Sequence, residues 1–169
     1  MECVTGFPFW PFDPHPEDVR IEDIAHSLAM QCRFAGHTKA FYSVAEHCWH
    51  VSRLCAPQDA LAGLLHDAAE AYLLDLPRPI KYDAKMQPYR DAEAVVQRTI
   101  YAAFGLPPKT PVTVKEADRA LAGLEIRELM TNRGAWWNGP IAGAEIRCWD
   151  PPQAKAMFLH RFAELTDAG

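Results

Sequence analysis

An all-α helical bundle is the fold class this chain predicts, on three observations. Apolar residues recur at helical rather than alternating spacing in each long segment. No strand candidate exceeds a few residues. The fourteen prolines fall mostly at the boundaries of the helical segments, where a residue with fixed φ and no N–H starts or stops a helix. At 169 residues the chain suits a single domain, 1–169, with a sizeable core.

Taken in order, residues 1–19 set Pro8, Pro11, Pro14 and Pro16 among Phe7, Phe9, Trp10 and Phe12, which predicts an ordered arm packed on the body. Ile21–Gln31 carries a short apolar stripe of helical period. Cys32–Thr38 is a turn around Gly36. Ser43-Val-Ala-Glu46 has the form of a capping box and opens a helix to about Leu54. A further helix is expected over Pro57–Leu74, with LPRPIK after it extended because Pro77 and Pro79 disfavour helix before them. Pro88–Phe104 is helical and Gly105 closes it. Thr113-Val-Lys-Glu116 has the form of a second capping box, for a helix to about Asn132. Arg133–Trp149 is a loop rich in Gly and Trp. Asp150 caps the final helix, with Pro151 at its first position.

Composition removes several function classes. A net charge of -5 does not suit a nucleic-acid polymer as partner. No apolar run approaches the roughly 18 residues of a membrane span. The first residues have neither a basic nor a continuous apolar region, so they do not read as a signal peptide. Five scattered cysteines without a C-x-x-C pair fit a reducing, cytoplasmic setting.

The chemistry concentrates in ALAGLLHDAAEAYLLDLPRP, residues 60–79. His66 and Asp67 stand side by side in an apolar helical pattern, and burying both costs several kcal/mol unless each has a partner. His47 lies on the preceding helix. Asp118 borders the apolar stripe of Val114, Ala117, Leu121 and Leu124 on a later one. Two imidazoles and two carboxylates suit a divalent ion such as Zn, Mn, Co, Fe or Mg. Four such ligands leave coordination positions open, as a catalytic site requires. Glu70, one turn beyond the doublet, is placed to orient or deprotonate water.

The segments VAEH at 44–47, LLHDAAEAYLLDLPRPIKY at 64–82 and VKEADRALAGLEIREL at 114–129 resemble the HD-domain metal-dependent phosphohydrolases. They are most similar to the YfbR-like 5'-deoxynucleotidases, with the phage dATP triphosphohydrolases as a related branch. The resemblance implies an all-helical HD fold with metal ligands His47, His66, Asp67 and Asp118, and catalytic acids Glu70 and Asp75. It implies substrate contacts from Arg33, Phe34 and Lys81. It also implies a nucleotide substrate, most simply a 5'-(deoxy)nucleoside monophosphate, and a homo-oligomer. Phe34 stands where the nucleotidases carry a Trp that helps exclude the ribose 2'-hydroxyl, which weakens the expectation of strict deoxyribose selectivity. Trp136 and Trp137 read as an anchored loop or as a lid that stacks a base. Arg20 reads as a further cation for the anion.

Overall fold

The computed structural model describes residues 1–167. Among them eight α-helices form: α1 Ile21–Met30, α2 Val44–Leu54, α3 Ala60–Leu64, α4 Glu70–Leu73, α5 Arg78–Lys81, α6 Gln87–Ala103, α7 Val112–Leu129 and α8 Pro151–Thr166. Two isolated bridges, Glu2 with Pro8 and Cys32 with Ser43, are the β pairing among the described residues. The all-α bundle expected from periodicity is therefore the observed architecture. Among the described residues no helix is long and apolar enough to cross a membrane.

Helix α2 is the axis of the bundle and packs against α1, α3, α7 and α8. Val44, Ala45, Cys48 and Val51 face these neighbours and are buried, so His47, within the same turns, is carried into the centre with them. Ile24 and Leu28 of α1, Leu121 and Leu124 of α7, and Phe158 of α8 close the core around it. Complete burial of each such side chain is worth about 1.5–3 kcal/mol.

The first residues form the ordered arm that their aromatic content predicts. Phe9 is fully buried and stacks on Tyr72 of α4 with ring centroids 3.7 Å apart. The Thr5 N–H and hydroxyl donate to the two carboxylate oxygens of Asp23 at 2.9 and 2.8 Å. A short residue with two donors thus fixes the arm to α1.

Several local expectations hold, and others are corrected. Asp150 accepts the Gln153 N–H at 2.8 Å as the cap of α8, and Gly105 ends α6 with φ +66°. Residues 78–81 of the LPRPIK segment form one helical turn instead of extended chain. Pro77 only needs its own φ near −60°, and it opens α5 as the residue before the first turn. The second capping box does not form. Helix α7 begins at Val112 without a side-chain cap, and the Thr113 hydroxyl donates to Asp59 Oδ2 instead at 2.5 Å. The first box forms by half: Ser43 accepts the Glu46 N–H at 3.0 Å. The Glu46 carboxylate turns away from the helix start and accepts the N–H groups of Arg147 (2.7 Å), Cys148 (3.0 Å) and Trp149 (2.7 Å). It fastens the loop that leads into α8.

Candidate metal centre

The helix expected over 57–74 is interrupted at the residues that matter. Helix α3 ends at Leu64 and α4 begins at Glu70. Between them the backbone tightens into i→i+3 bonds, Ala68 N–H to Leu65 O at 3.1 Å and Glu70 N–H to Asp67 O at 3.0 Å. His66 and Asp67 lie in this break. Successive side chains on a regular α-helix diverge by about 100°. Here His66 Nε2 and Asp67 Oδ2 converge to 3.2 Å.

His47 is oriented from behind by Glu125 of α7, a residue to which the sequence assigns no role. Glu125 is fully buried. Its Oε1 lies 2.6 Å from His47 Nδ1 and accepts the Tyr42 hydroxyl at 2.8 Å. Its Oε2 faces the Arg33 guanidinium at 3.2 Å. Burial alone would raise the Glu125 pKa. Arg33, then His47 and Tyr42, more than offset that and hold it at about 2. The carboxylate is thus ionised, and His47 Nδ1 is the donor of the pair. The signal for this residue was a glutamate one helical turn beyond the apolar Leu121, on the face that α7 buries.

The donor set fits a metal ion. His66 Nδ1 faces the Gly63 carbonyl at 2.9 Å, and a carbonyl only accepts, so this nitrogen also carries a proton. With both Nδ1 atoms engaged, His47 and His66 turn their Nε2 atoms toward each other at 3.3 Å. Asp67 Oδ2 lies 3.6 Å and Asp118 Oδ1 3.2 Å from His47 Nε2. Donors bound at about 2.1 Å to one ion are separated by about 3.0–3.4 Å. The His47, His66 and Asp67 ligand atoms all lie within 4.8 Å of one another, and this group could hold a metal ion. Asp118 adjoins it through His47. Positive charge is in demand at this point. Burial disfavours a charged ring at His66, yet Asp67 and the Cys48 thiol outweigh it and raise the pKa well above the usual value.

The cluster lies against a cavity of about 560 Å³. Arg33, Asp67, Glu70, Asp75, Lys81 and Asp118 all line it, and so do the apolar Phe34, Leu76, Ile126, Met130, Trp136 and Trp137. One lining is charged and the other apolar and aromatic. Burial first, then the Asp67 and Asp75 charges, pushes the Glu70 pKa well above the carboxylate range. Its Oε2 is buried without a hydrogen-bond partner. Lys81 Nζ lies 3.4 Å from Glu70 and 2.5 Å from Glu93 of α6. Arg33 is shared by Asp67 at 3.6 Å and Glu125. Both expected anion contacts are thus carboxylate-paired in the free protein. Arg20, the further cation weighed from sequence, lies over the Phe7 ring of the arm, 4.0 Å from its centroid, and does not line the cavity. Arg78 does, with a side chain 70% exposed and 3.7 Å from Asp118 Oδ2.

Two features shape the rim. Phe34 and Ala35 take left-handed backbone angles, φ 56° and 53°, which cost non-glycine residues roughly 1–2 kcal/mol each. This turn directs Arg33 inward and sets Phe34 at the cavity. Trp137 is anchored, donating from Nε1 to the Pro140 carbonyl at 3.1 Å. It rests on Gly123 of α7, where a Cβ would meet the indole nitrogen at 2.6 Å.

The comparisons with known proteins follow this geometry in extent but carry no activity. No family model matches the chain. It is 36% identical over 174 residues to the uncharacterized protein YfdR of Escherichia coli K12, across 99% of this chain and 96% of that protein. It is 34% identical over 170 residues to an uncharacterized protein of Rhodobacter capsulatus, across 88% of this chain and 86% of that protein.

Proposed function

We propose, for a chain that belongs to the family of the Escherichia coli protein YfdR, an HD-type metal-dependent phosphohydrolase acting on nucleotides, with 5'-(deoxy)nucleoside monophosphates as its substrates. One observation carries the reading: two imidazole Nε2 atoms 3.3 Å apart lie within reach of Asp67 and Asp118, which line a cavity that has one charged and one aromatic lining. An anion belongs at the first and a flat, weakly polar base at the second.

His47, His66, Asp67 and Asp118 would hold the ion; Zn, Mn, Co, Fe and Mg all suit this donor set. A bound ion supplies positive charge against phosphoryl oxygens and a more acidic water. Everything else falls to side chains of this chain. Glu70 Oε2, buried and unpartnered, is the atom that holds the attacking water. The water oxygen bonds to phosphorus as the bond to the 5'-oxygen breaks, releasing phosphate and nucleoside. Asp75, on the same wall, shares the proton traffic with Glu70. Arg33 and Lys81 stabilise the charge on the transferring group once the phosphate takes the place of their carboxylate partners. Phe34, Trp136 and Trp137 offer faces for the base.

Purified protein is expected to contain a divalent metal by elemental analysis and to release inorganic phosphate from a panel of nucleoside monophosphates. Asp67→Ala is expected to lose both the metal and the activity. Metal content unchanged in Asp67→Ala would end the reading. Arg78 at the cavity favours a second one, in which an additional cation serves a longer phosphate chain. Tripolyphosphate released from dATP, with no phosphate from dAMP, would select it.

A further inference from the structure

Something must hold the 65–69 segment open, because the Leu and Ala residues on either side of His66 and Asp67 favour a continuous helix. Closure would pair the Leu65 carbonyl with the Ala69 N–H. Neither group pairs with the other. The Gln97 carboxamide stands between them: its Oε1 accepts the Ala69 N–H at 3.0 Å and its Nε2 donates to the Leu65 carbonyl at 2.7 Å. One planar amide thus takes the place of the Leu65–Ala69 main-chain bond, one of the two i→i+4 bonds that would cross His66 and Asp67, while the Leu65 carbonyl also accepts the tighter Ala68 N–H bond at 3.1 Å. A side chain inserted into the helical ladder is an established cause of a local break.

Helix α6 holds Gln97 at this place from both sides. Ile100 and Tyr101, three and four residues on, are buried, and the Tyr101 hydroxyl donates to the Ala62 carbonyl of α3 at 3.1 Å. Glu93, four residues before, meets Lys81 of α5. Residues 93, 97 and 101 therefore form one face of α6 that is templated on the chain from 62 to 81. A second cavity of about 190 Å³ lies beside this face, lined by His66, Asp67, Glu70 and Gln97 among others.

We propose that Gln97 is a positioning residue of the metal centre: its amide wedges the 65–69 segment apart so that two adjacent side chains, His66 and Asp67, can reach a single ion. The proposal rests on the reading of that cluster as a metal site. It adds a residue that touches neither the ion nor the substrate.

Gln97→Met keeps the volume and removes the amide. In the metal-free protein it is expected to melt close to wild type, because Leu65 and Ala69 can then pair with each other. Its Co²⁺ affinity, measured by titration against a competing chelator, is expected to fall about 10- to 100-fold, with altered visible absorption bands of the bound ion. Gln97→Glu keeps the acceptor for Ala69 but sets a carboxylate against the Leu65 carbonyl, and is expected to bind Co²⁺ with intermediate affinity. If either variant folds and matches wild type in both affinity and absorption bands, the proposal is overturned. A wild-type protein that binds no Co²⁺ fails differently: it removes the metal reading, and the proposal with it.

Discussion

Glu125→Ala is expected to destabilise the protein by about 3–5 kcal/mol, the range for removing one partner of a buried charge pair. The Tyr42 hydroxyl and His47 Nδ1 lose their acceptor, and the Arg33 guanidinium loses one of its two carboxylate partners. Metal affinity is expected to fall about 10- to 100-fold as well, because His47 is no longer held in the tautomer that leaves Nε2 free. Glu125→Gln keeps the shape and can still accept from Tyr42, so it is expected to cost less stability but to share the loss of metal affinity. Urea denaturation and Zn²⁺ titration of the two variants measure these effects separately. An Ala variant with a wild-type midpoint would show that Arg33 and His47 do not depend on this carboxylate.

The same group gives a pH dependence of known sign. Its ordinary pKa is 4.5 and its folded value about 2. A pKa depressed by folding contributes stability that is fully present above about pH 4.5 and is lost as pH falls toward 2. The acid limb of a stability profile is therefore expected to be shallower for Glu125→Gln than for wild type over that window.

Glu46→Ala is expected to cost on the order of 4 kcal/mol, since three backbone N–H groups lose their acceptor in a partly buried loop. The damage falls on the C-terminal segment, because Arg147, Cys148 and Trp149 immediately precede α8. Hydrogen exchange is expected to accelerate first at these amides and then along α8, ahead of α7. Uniform acceleration over the whole chain would instead assign Glu46 a global role. Glu46→Gln keeps one carbonyl acceptor and is expected to fall between Ala and wild type.

Most features set by partners close in sequence are legible in it, the Thr113 box and the LPRPIK segment excepted, and those set by distant partners are not. The Asp150 cap, the Gly105 stop and the apolar stripes of α1, α2 and α7 are local devices, and local pattern exposes them. His66 and Asp67 were legible as chemistry because two polar groups in an apolar run need a partner. The break that lets them converge was not, because Gln97 lies about thirty residues downstream on another helix. Glu46 read as half of a capping box for the same reason: the three amides it accepts lie 101–103 residues away. Glu125 sits in a helical pattern that an exposed glutamate would fit equally well. Only its burial against His47 and Arg33 distinguishes it.

The fastening of Glu46 to residues 147–149 also sets an order for events during synthesis. Arg161 of α8 repeats the arrangement, donating to the Ser52 hydroxyl and carbonyl across 109 positions of sequence. Helix α2, the axis of the bundle, is translated early, and the groups that complete it follow about a hundred residues later. At roughly 5–20 residues per second that delay is about 5–20 s. Throughout it the nascent chain carries the Glu46 carboxyl group and an apolar helix face without their final cover. A ribosome stalled before residue 147 therefore holds a chain in which His47, His66, Asp67 and Asp118 are all present but whose central helix cannot yet be sealed.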